Sequence, residues 1–192
     1  PFTTRDRRAV LSESRRRDAP VTFRALGGLG EIGLNCALIE QDGKILILDC
    51  GVNFPDGDHY GIDVIIPDFS ELEAQADRIA GLVITHGHHD HIGAVAYLLA
   101  RVDVPVFAPP LAMALIEGAF AEHEIEPKAP RKTFVAGRRF EVGPFSVEAI
   151  HVNHSIPQTC ALAITTAAGV IVHSADFKLD DAPLGEPPAD RN

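Results

Sequence analysis

Cysteine is scarce and scattered. Cys36, Cys50 and Cys160 are odd in number and far apart in the chain, so they read neither as a disulfide framework nor as a zinc ribbon, and a reducing, cytoplasmic setting is expected. Long apolar runs are missing too. Nothing approaches the roughly 20 residues needed to span a bilayer, so no membrane association is expected. No apolar segment follows the charges near the N-terminus, which argues against a secretion signal. Positive charge is in deficit: 17 Lys and Arg face 27 Asp and Glu, a net charge of −10. That excludes a protein that coats nucleic acid with its whole surface. It does not exclude a nuclease, because bound divalent cations offset local carboxylates and attract phosphate.

What is present suits one ordinary domain with a real core: 192 residues, 46% apolar and 23% charged. Residues 1–19 are polar and arginine-rich (Arg5, Arg7, Arg8, Arg15, Arg16, Arg17). They read as a flexible basic arm, with contact to RNA as the sharper alternative. Residues 20–182 carry the pattern of a domain. Residues 183–192 are a Pro/Gly/charged stretch without periodicity and read as the start of a linker. The proline at position 1 and this tail together give the expectation that the chain is a piece of a longer protein.

Strands are predicted over Val21–Leu26, Asn35–Glu40, Lys44–Asp49, Leu82–Thr85, Val104–Phe107, Arg138–Val142, Phe145–Ile150, Cys160–Thr165 and Val170–Ser174. Helices are predicted from Ser70 to about Ile79, with Ser70 and Glu73 as a capping box, over Gly93–Arg101, and from Leu111 to about His123 behind Pro109-Pro110. This mixed order, rich in hairpins, implies layered sheets flanked by helices. Gly28-Leu29-Gly30-Glu31-Ile32-Gly33 matches a dinucleotide-binding glycine pattern, and Asp49 lies where a ribose-binding acid would. The segment after it, Leu34 to Glu40, alternates as a strand, whereas a pyrophosphate site needs a helix starting at the glycines. The better reading is a tight turn that brings backbone close to a neighbouring site.

The chemistry concentrates in Thr85-His86-Gly87-His88-His89-Asp90-His91, placed between a strand and a helix. Imidazole and carboxylate donors suit zinc, and manganese or iron at higher coordination number. In an extended loop His86 and His88 point the same way, and Asp90 and His91 turn toward a second position, so one segment can serve two adjacent metals. His89 reads as an outward-facing spacer. His154, Asp176 and Asp49 each lie where a strand stops, a placement from which a rigid sheet can converge side chains on one site. Two bridged metals make a hydrolase, because they acidify a water and neutralise a developing oxyanion. A phosphodiester, a lactam and a thioester all remain possible electrophiles on this ground.

His86-x-His88-x-Asp90-His91, with Asp49 before it and His154 and Asp176 after it, resembles the metallo-β-lactamase superfamily. The segments Ala25–Asn35, Ile66–Ser70, His154–Pro157 and Asp176–Lys178 further resemble the bacterial ribonuclease J family of β-CASP nucleases, over nearly all of Val21 to Asp181. The resemblance implies an α/β (α+β) metallo-β-lactamase αββα sandwich. It would be incomplete here, without the β-CASP domain and the C-terminal part of the fold. It implies two divalent metal ions, zinc first and manganese second. His86, His88 and His154 would hold one, Asp90 and His91 the other, with Asp176 bridging and Asp49 orienting a histidine from just outside. Asp49, Asp90 and Asp176 would be the catalytic carboxylates. The implied reaction is hydrolysis of RNA phosphodiesters by a di-metal-activated hydroxide, endonucleolytic or 5′-to-3′ exonucleolytic. It would leave 5′-phosphate and 3′-hydroxyl ends in RNA processing and decay. The full-length parent would be a homo-oligomer, and this chain alone a weak nuclease. No RNA-binding residue is marked by the sequence. The chain departs from the family at Gln158, where an acid is usual, and at Ser174-Ala175, where Thr-Gly is usual. Two other readings stand beside this one: a glyoxalase II-like thioesterase or lactamase on the same fold, and a non-catalytic metal-binding fragment.

Overall fold

The structure, a computed structural model, describes residues 20–57 and 60–190. The arginine-rich arm of residues 1–19 and the last two residues lie outside them. A six-stranded mixed sheet is built in spatial order from β1 (Thr22–Gly27), β2 (Cys36–Gln41), β3 (Lys44–Leu48), β4 (Ile79–Val83), β5 (Val106–Ala108) and β6 (Arg131–Thr133). The first three strands run antiparallel. The steps from β3 to β4, β4 to β5 and β5 to β6 are parallel, and parallel steps need crossovers, which carry the helices. These are α1 (Ser70–Ala74) with the 3-10 turn Ala76–Arg78, then α2 (His89–Ile92) and α3 (Val95–Leu99), then α4 (Pro110–Glu122). A second, antiparallel sheet follows in the order β10 (Gly169–His173), β9 (Cys160–Thr166), β8 (Phe145–His151) and β7 (Arg139–Val142).

The run Ile45-Leu46-Ile47-Leu48 is apolar throughout because β3 is buried on both faces, as parallel strands between two layers are. Ile45 and Ile47 join Leu72, Leu82, Leu98, Ile116 and Phe120 in a core beneath the helices. Leu46 and Leu48 join Phe107, Phe145, Val147, Leu162 and Ile164 in a core between the sheets. The layers are therefore helices, sheet, sheet. On the outer face of the second sheet Val170 and Val172 are exposed, and no helix covers that face among the described residues. All three cysteines are buried free thiols. No helix among the described residues is long and apolar enough to cross a membrane.

Several expectations shift. The capping box at Ser70 and Glu73 is absent: Ser70 is the first helical residue, and its N–H and hydroxyl both donate to Asp68 Oδ1, at 2.9 and 2.6 Å. That helix ends at Ala74, and Ile79 already belongs to β4. The predicted Gly93–Arg101 helix is two pieces, the first beginning inside the histidine run at His89. Strand β6, exposed along its length, has no sequence pattern and is fixed by pairing with β5. No helix starts at the Gly28–Gly33 turn, in keeping with its reading as a turn beside a site.

Candidate metal centre

The candidate ligands gather where β3, β4, β8 and β10 stop. His88 is extended (φ −70°, ψ 148°) and caps α2, so His86 and His88 project together from the strand end while Asp90 and His91 ride on the first helical turn. His86 Nε2 and His154 Nε2 each lie 3.1 Å from His88 Nδ1. A second set, His86, His91 and Asp176, also converges within 4.8 Å. Asp176 stands between the two, with Oδ1 3.6 Å from His91 Nε2 and Oδ2 3.5 Å from His154 Nε2. Asp90 is placed by the second set, its Oδ2 3.6 Å from His91 Nε2, although His86 completes that cluster more closely. His89 is exposed and belongs to neither set.

One buried carboxylate orders both sets. Asp49 adopts a left-handed conformation (φ 56°), which aspartate tolerates better than most residues, and its side chain turns under the end of β4. It accepts the Thr85 N–H at 2.8 Å, the Thr85 hydroxyl at 2.9 Å and His91 Nδ1–H at 2.8 Å. Having donated to Asp49, the Thr85 hydroxyl accepts from His86 Nδ1–H at 2.9 Å. The tautomers follow: His86 and His91 both turn an Nε2 lone pair into the site. Ser155 Oγ lies 3.4 Å from His88 Nε2; with that hydroxyl accepting from Nε2–H, the His88 Nδ1 lone pair faces inward too. Neutral nitrogen lone pairs 3.1 Å apart repel one another. Tetrahedral zinc–nitrogen bonds would set them about 3.3 Å apart, so the donor set fits a divalent cation.

At His86 and His154 the electrostatics agree with that fit. Burial, helped by the neighbouring His91, pushes the His86 pKa down to about 3, so this ring stays neutral and able to ligate. Burial and His88 lower His154 as well, against Asp176. Burial also opposes a charge on His91, but the Asp49 carboxylate, with Asp90 and Asp176 adding to it, outweighs burial and raises that pKa. Burial likewise works against charge on Asp49, yet His91 and His173 hold its carboxyl far below the usual range. In metal-free protein a depressed histidine favours the unfolded, protonated chain below its unfolded pKa of about 6.5. His86 should therefore remove stability as pH falls, by about 2 kcal/mol at pH 5. His91 works oppositely: its contribution is complete below about pH 6.5 and is lost as pH rises through its folded value. Thermal melts of chelated protein from pH 7 to 5 should show a fall in Tm that is clearly smaller in His86→Gln, with His154 supplying part of what is left. An equal fall in both would refute the assignment to His86.

Three residues that sequence reasoning did not assign belong to the site. Thr85 links Asp49 to His86. Asn35, held by the glycine turn, places its Nδ2 3.2 Å from Asp90 Oδ2 and 3.1 Å from His91 Nε2. His173 aims a buried Nε2 at Asp49 Oδ2 from 3.6 Å, with no hydrogen-bond partner of its own. Its signal was a polar side chain on the inward, period-2 face of β10 that it shares with Ile171. The two departures at 158 and 175 also acquire positions. Gln158 Oε1 accepts from Leu111 N at 2.8 Å, serving one of the orphan donors at the start of α4. Ala175 sits at φ 52°, a conformation that glycine adopts without strain.

The chain matches the sequence model of the Metallo-beta-lactamase superfamily over residues 29–188. It is 43% identical over 173 residues to Ribonuclease J of Helicobacter pylori (strain ATCC 700392 / 26695), covering 90% of this chain and 25% of that protein. To Ribonuclease J of Mycolicibacterium smegmatis it is 45% identical over 168 residues, covering 86% and 30%. It thus spans about a quarter to a third of the length of these curated relatives. Among solved structures, the metallo-beta-lactamase fold protein YhfI from Bacillus subtilis superposes with a TM-score of 0.60 at 19% identity, over 82% of this chain and 63% of that one. The short form of human tRNase Z superposes with a TM-score of 0.53 at 18% identity, over 79% and 67%. These two likenesses concern the fold.

Proposed function

Since the chain belongs to the metallo-beta-lactamase superfamily, we propose that it is the metal-binding part of a ribonuclease that hydrolyses RNA phosphodiesters. The observation that carries the reading is the pair of ligand sets joined by His86 and spanned by Asp176. The identity to proteins named Ribonuclease J favours RNA over a lactam or thioester. His86, His88 and His154 hold one divalent ion. His91 and Asp90 hold the other, with Asp176 shared. The all-imidazole set suits zinc, and the mixed set also admits manganese. When bound, such ions acidify a water and neutralise charge on phosphoryl oxygens.

The chain's own residues do the positioning. Asp49 and Thr85 fix the tautomers of His86 and His91, and Asn35 restrains Asp90. Asp176, with its side chain 47% exposed, meets solvent and substrate at the mouth of the site. Water, not the ribose 2′-hydroxyl, is the nucleophile, so 5′-phosphate and 3′-hydroxyl ends are expected, from endo- or 5′-to-3′ exonucleolytic cleavage. A cytoplasmic setting and a homo-oligomeric parent belong to the same reading.

The test supplies zinc or manganese to the full-length parent, since this chain alone is expected to be a weak nuclease, and compares 5′-monophosphorylated RNA with a thioester and a β-lactam. RNA alone should be cut, and His88→Ala should lose at least about 100-fold in kcat/KM together with one equivalent of metal. Cyclic 2′,3′-phosphate ends, or an unaltered metal content in His88→Ala, would overturn the proposal.

A further inference from the structure

His89 is the one member of the histidine run that no ligand set uses. It is exposed, and its ring lies nearly parallel to that of Phe54, with centroids 5.9 Å apart and an interplanar angle of 16°. Phe54 is 60% exposed, yet its backbone is firmly held. Asn53 and Ile65 exchange two backbone hydrogen bonds, at 2.9 and 2.8 Å. Asn53 Oδ1 accepts from Phe54 N at 2.8 Å, and Asn53 Nδ2 donates to Glu31 at 3.2 Å. Val52 N reaches His89 O at 3.4 Å, tying this segment to the start of α2.

The result is a held pair of aromatic faces in water, of which His89 lies one residue after the ligand His88 and one before Asp90. Adjacent Cα atoms are about 3.8 Å apart, less than the step from one nucleotide to the next, so a base flanking a phosphodiester at the ligand cluster is within reach of these rings. Charge selects which part of the nucleotide lies there. The Glu31 carboxylate on Asn53 repels phosphate but not a neutral base, and every base has a π-face that stacks on an aromatic ring.

Resting on the ribonuclease reading above, we propose that Phe54 and His89 form a stacking platform for a nucleobase flanking the scissile phosphodiester. The platform tolerates any base, because stacking reads the ring face and not the hydrogen-bonding edge.

The experiment is fluorescence anisotropy on the metal-loaded chain, using a labelled 5′-monophosphorylated RNA with a phosphorothioate backbone that slows cleavage. A companion set of RNAs has one base at a time replaced by an abasic residue. Phe54→Ala should weaken binding about tenfold, and Phe54→Trp should bind as wild type does. Phe54→Leu keeps the apolar bulk that packs the loop but lacks the flat face, and should lose as much as the alanine variant. At one RNA position the abasic substitution should cost wild type the same factor and cost Phe54→Ala nothing more, since both changes remove one contact. Wild-type affinity in Phe54→Leu, or losses that multiply at every abasic position, would overturn the platform. So would a sedimentation result in which the Phe54 variants dissociate copies of the chain while RNA affinity stays the same. If wild type binds and cuts RNA but the Phe54 variants match it, only the platform falls. If wild type binds no RNA and the full-length parent cuts none, the ribonuclease reading falls and takes the platform with it.

Discussion

Asp49→Ala is expected to destabilise the metal-free chain by about 3–5 kcal/mol, the range found when one partner of a buried ionic pair is removed. The carboxylate is 1% exposed and accepts from His91, from the Thr85 N–H and from the Thr85 hydroxyl. Alanine leaves all three donors in a water-poor pocket with nothing to receive them, and each buried unsatisfied donor is costly. The pKa directions agree: Asp49 raises His91, and His91 with His173 lowers Asp49. The stability at stake is the depressed-carboxylate kind. It is present above the unfolded pKa of about 3.9 and is lost as pH falls toward the folded value. Asp49→Asn keeps the shape and one acceptor oxygen, so its loss should be nearer 1–3 kcal/mol, that of about one unmet donor. Both variants release the tautomers of His86 and His91, so metal affinity should fall by at least about 10–100-fold even where the fold survives. Denaturant titration at pH 7 with chelator present, followed by competitive metal binding, measures the two effects separately. An alanine variant within about 0.5 kcal/mol of wild type would mean that Asp49 is not the organising group.

The legible part of this site is the part that is local in sequence. His86, His88, Asp90 and His91 can be read as ligands because alternation and a helix start separate them into two directions within six residues. His154 and Asp176 gained meaning only as strand-end residues that matched a pattern. Asn35 and His173 could not be assigned, because what defines each is a partner far away along the chain: Asp90 and His91 for Asn35, Asp49 for His173. The same division holds in the fold. β3 and β8 announce themselves, one by an unbroken apolar run and the other by alternation of Phe145, Val147 and Ala149 with Ser146 and Glu148. β6 is three exposed residues whose strand character comes from β5, so no property of its own could reveal it. The capping box at Ser70 failed for a related reason. Asp68, two residues upstream, competes for the same N–H, and a short side chain so placed makes the tighter local hydrogen bond.

Gly51→Ala should be the most damaging of the small changes available to this chain, and Gly118→Ala the matched control. Gly51 has no positive φ to explain it; the reason for glycine is space. A methyl group there would lie 1.5 Å from Asp90 O and 2.7 Å from His91 N, both backbone atoms of the turn that presents the second ligand set. That turn is pinned from both sides. Cys50 N donates to His91 O at 2.8 Å, Ala94 N to Cys50 O at 2.9 Å, and Gly51 N to Asn35 O at 2.9 Å. No rotamer can relieve a clash between two backbones, so α2 has to move away from β3, and overpacking of this severity should cost at least about 3 kcal/mol. The movement takes Asp90 and His91 with it, so the His91–Asp176 set should lose its ion before the three-histidine set does. Gly118 lies on the exposed face of α4 with nothing within 4 Å of an added methyl. Alanine there trades the poorest non-proline helix former for the best and should stabilise by about 1 kcal/mol. Calorimetric melts and stepwise metal titration of the two variants, run beside wild type, make the comparison. If Gly51→Ala melts with wild type and takes up both ions, the close approach of the Asp49–Gly51 turn to Asp90 does not hold the second ligand set in place.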